Sequence, residues 1–416
     1  MLFIYRIVIN LIIVASPIII FFRLLKKKED PIRFKEKFCF FSKKKLKGKL
    51  IWFHGASVGE ILSVIPLIEK LEKNKNIKQI LITSNTLSSS KILLNSKFKK
   101  TIHQFFPIDT NYHSKKFLNY WKPSIAIFID SEIWPNMISN INKKSISLML
   151  LNARITKKSF KRWKKFVFFA KSMFQKFDIC LSSNNESKKY LKFLGAKKIK
   201  YIGNLKFSQT EKDEHFLNNN LKKFLLSRRV WCAASTHPTE ETLCALAHKK
   251  LKKEYKNLLT IIIPRHINRT DQIINEMEKL NLKFHLHDSE KKIHKDTDIY
   301  LVNSYGQTKS FFKLCKIVFL GGSIIKHGGQ NPLEAARYGC KIIYGPNISN
   351  FYEIYKLLNK YKVSTKIIGL NQMINNIDRI FKNKTVTFKI KSKIKELGNE
   401  ILSSTLKEIN FLINRK

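Results

Sequence analysis

Short runs of apolar, β-branched residues recur at 50–53, 79–83, 101–105, 124–129, 145–151 and 179–182, each parted from the next by enough chain for a crossover helix. That alternation predicts a parallel, doubly wound α/β sheet running to about residue 201. The rhythm restarts at 230–234 and continues through 258–263, 299–302, 317–320 and 341–344, which predicts a second sheet of the same kind. Between the two, 207–229 is polar and rich in Lys and Asn, as expected of a linker. A last helical stretch, 390–412, has apolar positions that could pack on either domain. Ahead of both sheets, 1–22 is apolar apart from Arg6 and Asn10, and Arg23, Lys26, Lys27 and Lys28 follow at once. This is close to the ~20 residues that cross a bilayer. No small-x-small cleavage site follows, so the pattern predicts an uncleaved anchor, spanning or lying in the interface, with the basic cluster holding the remainder in the cytoplasm. The expected division is an anchor at 1–28, a first Rossmann-like domain at 29–207 and a second at 208–416.

Composition agrees with two domains, since 416 residues exceed what one hydrophobic core usually supports. Charge adds one feature: 79 Lys and Arg against 30 Asp and Glu leave a formal +49. Such a field attracts polyanions, including anionic lipid. The cations are spread over the whole chain, however, and neither a recognition-helix motif nor an aromatic RNA-binding strand is present, so no specific nucleic-acid partner is expected. Six cysteines without a C-x-x-C pair suggest neither a zinc ribbon nor a disulfide framework. The histidines form no H-E-x-x-H; His285 and His287 stand two apart on a possible strand, and no metal or cofactor is called for.

The chemistry gathers where strands end. In Trp52-Phe-His-Gly-Ala-Ser-Val-Gly-Glu60 a strand turns through glycines into a helix, which puts Glu60 at the carboxyl edge of the sheet, where ligands bind. Glu60 is placed to act as a base, although the stretch also reads as a compact turn whose carboxylate complements the helix dipole. Asp130-Ser-Glu132-Ile-Trp-Pro-Asn136 brings Glu132 to the same edge, and adjacent carboxylates push one pKa upward. Glu132 reads equally as a cap or a partner for a nearby Lys. In the second half Pro264-Arg265-His266 ends one strand and Asn303-Ser-Tyr305-Gly306-Gln307 follows another. Gly321-Gly-Ser then precedes Gly328-Gly-Gln-Asn331-Pro332-Leu333-Glu334, where Asn331 is expected to cap a helix with Pro332 at its first position. The free N–H groups of that helix suit a phosphate, and Glu334 suits ribose hydroxyls, which together make a nucleotide site without a Walker lysine.

These motifs, with Leu151-Asn-Ala-Arg-Ile155, Gly203-Asn-Leu-Lys206-Phe207 and Ser235-Thr-His-Pro-Thr-Glu240, resemble the 3-deoxy-D-manno-octulosonic acid (Kdo) transferases of lipopolysaccharide assembly. The resemblance implies a GT-B glycosyltransferase, two Rossmann-like domains facing a cleft, with CMP-Kdo as donor and the lipid A precursor (lipid IVA) as acceptor. It implies Glu60 as catalytic base, and Glu132 and Lys206 as groups that stabilise the transition state. Pro264, Arg265, Tyr305, Gly306, Gln307, Asn331, Pro332, Leu333 and Glu334 match the stretches that bind CMP. It also implies transfer without a metal, on the cytoplasmic face of a bacterial inner membrane whose anionic lipids are a further partner. Gln307 stands where the family usually carries an acid, which puts donor affinity in question. The rival reading is another nucleotide-sugar enzyme of the same fold, a different lipid A pathway transferase or an epimerase.

Overall fold

The computed structural model describes residues 1–94, 98–209, 217–383 and 387–415. Both expected sheets form. The first contains β1 (Leu50–His54), β2 (Gln79–Ser84), β3 (Thr101–Phe105), β4 (Ile125–Ile129), β5 (Ser147–Ala153), β6 (Ile179–Ser182) and β7 (Ile199–Tyr201). The second contains β8 (Arg229–Thr236), β9 (Leu258–Pro264), β10 (Phe284–Leu286), β11 (Ile299–Leu301), β12 (Ile317–Leu320), β13 (Lys341–Tyr344) and β14 (Ser364–Lys366). Their orders are β3-β2-β1-β4-β5-β6-β7 and β10-β11-β9-β8-β12-β13-β14, with every pairing parallel. Central strands covered by helices on both faces must be apolar throughout, and β1, β4 and β9 are buried at every position. Trp52, Phe117 and Phe128 pack around β1 and β4, and Trp231 and Phe319 around β8 and β12. The architecture is that of a GT-B enzyme, with two Rossmann-like domains.

In each sheet the strand order changes direction between two adjacent strands, β1 and β4 in the first and β8 and β12 in the second, where β10 in addition lies outside β11. At such a point the loops leaving the two adjacent strands depart in opposite directions and open a crevice at the carboxyl ends. Glu60 follows β1 and Glu132 follows β4, while Glu240 follows β8 and Gly321 follows β12. The sequence patterns that suggested chemistry therefore sit at both switch points.

The chain divides into two compact units, Met1–Thr210 with Leu397–Lys416, and Glu211–Glu396. This differs from an uninterrupted second domain over 208–416. The expected terminal helix is present as Thr387–Asn414, and its later turns group with the first unit. Ile401, Ile409 and Leu412 are buried, Lys200 pairs with Glu408, and Lys49 Nζ donates to the Ile413 carbonyl at 3.2 Å. Gly398 meets the backbone of Phe207 so closely that a Cβ would stand 2.4 Å from its carbonyl oxygen. Of the expected linker, 210–216 lie outside the described residues, and Asn219–Leu226 is helical with Leu221 and Leu225 buried.

Candidate functional site

In the first unit the turn after β1 is held by its own short-range chemistry. The Gly55 N–H donates to the Thr83 carbonyl at 3.1 Å, and a Cβ on Gly55 would stand 3.1 Å from Glu60 Cβ and from Ile129 Cδ1. Only glycine lets the helix Val58–Leu71 start so close to the sheet. Ser57 caps that helix by accepting from the Glu60 N–H, and Glu60 returns the favour: Oε1 accepts from Ser57 Oγ at 2.8 Å and Oε2 from the Ala56 N–H at 2.7 Å. The Glu60 side chain thus closes the start of the helix while lying at the switch point. Burial pushes its pKa up to about 7; the Ser57 hydrogen bond opposes this, and the negative Glu132 and Asp130 add to the rise.

Opposite it, β4 ends in Asp130, held in the left-handed region at φ 57°. Its neighbour Asn152, at φ 54°, lies at the register shift of β5 and donates to the Asp130 carboxylate, while Asn152 Oδ1 accepts the Leu205 N–H at 3.0 Å. Asp and Asn are the side chains that tolerate this conformation best, and here the two are bonded to each other. Burial raises the Asp130 pKa, Lys206, Asn152 and Arg154 draw it back, and Glu132 adds to it. Lys206 reaches this cluster from the short turn Leu205–Ser208, whose start is fixed by Asn204 Oδ1 accepting the Lys206 N–H at 2.9 Å. Glu132 behaves oppositely to Glu60. Burial alone would raise it, but His54 and the Trp134 indole outweigh burial and hold it below the usual carboxylate range. Trp134 Nε1 donates to Glu132 Oε2 at 2.8 Å; His54 Nε2 stands 3.3 Å from the same oxygen without hydrogen-bond alignment. His54 is fixed from behind by Thr83 Oγ1 at 3.0 Å and by stacking on Phe106.

The structure therefore brings Glu60, Glu132 and Lys206 together and adds Asp130, Asn152, Arg154 and His54, which motif reading quoted but gave no role. Two adjacent carboxylates with opposite shifts can divide labour, one taking a proton near neutral pH and the other staying charged.

In the second unit the organising residue is Glu240. It is fully buried, and its carboxylate accepts four backbone N–H groups: His237 at 3.0 Å, Gly322 at 2.7 Å, Ser323 at 3.1 Å and Ile324 at 2.9 Å. Gly321 is pressed against this knot, since a Cβ there would stand 2.4 Å from the Ser235 carbonyl oxygen. The loop so formed lies in a cluster of imidazole rings, with His237 packed against His327 at 4.3 Å and His266 at 5.8 Å between ring centres, and with the Arg265 and Arg269 guanidinium groups near it. Burial, then His327, His266, Arg265 and Arg269, push the His237 pKa down to about 4, so the imidazole is neutral at pH 7. Such crowding favours an incoming anion.

The residues expected to bind CMP are placed as follows. Pro264 ends β9, and the Arg265 N–H donates to the Thr236 carbonyl at 2.9 Å, leaving an exposed guanidinium beside the histidines. The Gly328–Gly329 turn has φ 99° and 77°, and the Gly329 N–H bonds the Gly322 carbonyl at 2.7 Å. A cavity of about 390 Å³ beside it is lined by Lys326, His327, Gly328 and Asn347. The helix after it differs from expectation. It spans only Leu333–Arg337, with Pro332 at the cap position rather than the first helical one, although Asn331 Oδ1 does accept the Leu333 N–H at 3.2 Å. A helix this short has a weak dipole, which removes most of the basis for a phosphate site at its N-terminus. Leu333 is buried, and Glu334 lies in the first turn. Tyr305 is exposed and Gly306 has φ 86°; Gln307 lines a different cavity, about 550 Å³, with His285, His287 and Tyr300. His285 lies on β10 and His287 just beyond it. Among the described residues no group of three or more His, Cys, Asp or Glu could hold a metal ion.

The family model "3-Deoxy-D-manno-octulosonic-acid transferase (kdotransferase)" matches residues 32–209. The chain is similar to the 3-deoxy-D-manno-octulosonic acid transferase of Rickettsia bellii, 35% identical over 365 residues that cover 87% of this chain and 86% of that protein. The corresponding protein of Haemophilus influenzae is 27% identical over 353 residues, 84% of this chain and 81% of its own. Among solved structures, UDP-GlcNAc 2-epimerase from Neisseria meningitidis aligns over 88% of this chain and 100% of its own with a TM-score of 0.57 and 12% identity, a likeness of fold alone.

Proposed function

Because the chain belongs to the 3-deoxy-D-manno-octulosonic acid transferase family, and is a glycosyltransferase that moves Kdo in lipopolysaccharide assembly, we propose that its donor is CMP-Kdo and its acceptor a sugar hydroxyl of the lipid A precursor, lipid IVA. Attack of a hydroxyl on the anomeric carbon requires removal of its proton while positive charge grows on the donor sugar and negative charge on the departing phosphate. Glu60 takes the proton, and the observation that carries this reading is its place in the first turn after β1, beside Glu132 and Asp130, where burial and these carboxylates push its pKa up to about 7. Glu132 faces the growing positive charge, and Lys206 and Arg265 answer the negative one. Arg265, the Gly328–Gly329 turn and Asn331 to Glu334 bind CMP, with Pro264, Tyr305 and Gly306 completing the contacts, while Gln307 lines the other cavity and has no part in this set. These protein cations take the role a metal ion would otherwise fill, so transfer is metal-independent. The enzyme works at the cytoplasmic face of the inner membrane, held there by the helix Leu2–Leu25.

The test is transfer by the purified chain, with CMP-Kdo and lipid IVA, read by mass spectrometry of the lipid with and without a chelator. A product heavier by whole Kdo residues, formed equally with chelator, is expected. Reaction with uridine diphosphate sugars and none with CMP-Kdo would move the assignment to another nucleotide-sugar enzyme.

A further inference from the structure

The helix Leu2–Leu25 has the length and hydropathy of a membrane span. Of its polar side chains Asn10 is exposed, whereas four others share one side. Tyr5, Arg6, Ser16 and Arg23 fall on the same side as the buried Ile20, the side turned toward the protein. Near its start Tyr5 Oη donates to Asp109 Oδ2 at 2.8 Å, and Arg6 Nε donates to Asn136 Oδ1 at 2.9 Å. Asp109 is buried and also accepts the Asn136 and Met137 N–H groups, so the Tyr5 contact joins a fixed network. Near its end Arg23 Nε donates to the buried Glu29 at 2.8 Å, which also binds Lys37 Nζ at 2.7 Å. All of these partners belong to the first unit.

We infer that this helix lies in the plane of the membrane along the first unit, its outward stripe in the lipid, and does not cross the bilayer. A crossing helix would carry Tyr5 and Arg6 about 30 Å away from the face that holds Arg23, which breaks one of the two attachments. The outward stripe is Phe3, Ile7, Leu11, Val14, Ile18 and Phe22, all exposed and spaced by three or four residues, with Val14 77% accessible. A continuous apolar stripe of this length needs a cover. The surrounding charge identifies it as an anionic bilayer. Lys26, Lys27 and Lys28 follow the stripe directly. The helix Pro135–Lys143 touches both Leu2–Leu25 and Val167–Phe174; the helix Lys157–Lys164, which leads into the latter, carries Lys161, Arg162 and Lys164, with Lys165 and exposed Phe166 and Phe168 following. Cations with exposed aromatics suit an anionic lipid surface.

The inference rests on the membrane location proposed above, and the experiment separates the two. The full chain is placed in a bacterial inner membrane with a reporter cysteine on a flexible tag ahead of Met1; the six native cysteines are free and buried. A membrane-impermeant maleimide is expected to label the tag only in inside-out vesicles, together with a Lys26→Cys reference, and not in intact spheroplasts. Labelling of the tag in spheroplasts, with Lys26→Cys still protected there, overturns the in-plane helix while leaving membrane location intact. Absence of the chain from the membrane fraction overturns both. In a second arm the purified chain should float with phosphatidylglycerol vesicles and lose part of that binding on phosphatidylcholine. Flotation with neither assigns the stripe to a protein partner and refutes the inference.

Discussion

Glu60→Gln tests two properties of one side chain whose expected changes run in opposite directions. Gln is isosteric, and its amide can satisfy the same two contacts: Oε1 toward the Ala56 N–H, and Nε2 toward Ser57 Oγ once that hydroxyl rotates. Loss of the proton acceptor should lower the single-turnover rate by ~10²–10⁴ while CMP binding survives. The parent rate should rise with pH through about 7, since the ionised form is the base. Stability should respond the other way. An acid whose folded pKa is raised, here from 4.5 to about 7, costs the folded state nothing at low pH. Its cost develops as pH climbs from the unfolded value to the folded one, because the unfolded chain ionises first. At ~1.36 kcal/mol per tenfold the full cost is ~3 kcal/mol, and partial solvent access screens it to ~1–2 kcal/mol. Gln carries no such cost. The variant should therefore melt about 2–8 °C above the parent at pH 8.5, taking ~2–4 °C per kcal/mol, and the gap should close toward pH 4.5. Melting of parent and variant across that range, beside rapid-quench transfer, measures both. A variant with near-normal turnover removes Glu60 as base, and a melting gap indifferent to pH refutes the buried-charge account. A turn carboxylate that merely favoured the helix dipole would instead lose ~0.3–1 kcal/mol on substitution.

Arg265→Ala and Glu334→Ala should each raise KM for the CMP donor with little change in the acceptor term, measured by varying each substrate in turn; an equal rise in both would contradict nucleotide binding by the second unit. Glu240→Ala leaves four buried N–H donors without their acceptor, so at ~1 kcal/mol or more apiece it should unfold the Gly321–Ser323 loop, abolish CMP binding in calorimetry and lower the melting temperature of the second unit. Removing residues 1–22 should weaken sedimentation with membranes but also cost ~1–3 kcal/mol, because Asp109 loses the Tyr5 hydroxyl and its shielding; denaturant melts check the second effect. A truncated chain that still pellets in high salt would show that the helix is not the anchor.

What could be read from the chain was what periodicity and turn chemistry determine. The long central strands are apolar without interruption because both faces are covered, and each was located within a residue or two. The edge strands β7 and β14 were missed: with Ile-Lys-Tyr and Ser-Thr-Lys they have three residues each, partly exposed, and only pairing to a formed neighbour makes them strands. Glu60 and Glu132 were legible because a strand followed by a turn and a carboxylate is local information. Asp130 and Asn152 stood in plain view within the same motifs, but their left-handed backbone and mutual hydrogen bond exist only once β4 and β5 pair. The short helix after Asn331 was overread for a related reason. Cap and proline signals mark where a helix begins, not how far it runs, and Gly339 at φ 84° follows its end after barely more than a turn.

The two units repeat one device with different outcomes. In each, the first strand of the sheet leads to a carboxylate in the first turn of the next helix, Glu60 after β1 and Glu240 after β8, and each accepts from backbone N–H groups at a switch point. The number of donors separates them. Glu240 is enclosed by four backbone N–H groups and has no exposed surface, so it can do little but fix the Gly321–Ser323 loop. Glu60 has one backbone N–H and one hydroxyl, keeps contact with solvent, and sits beside two further carboxylates. Fewer donors stabilise its ionised form less, and its negative neighbours destabilise that form further, which brings its titration near neutrality. The same position in the fold thus yields an acid locked to its loop where the carboxylate is saturated, and one that titrates near neutrality, as the proposed base requires, where it is left short of partners.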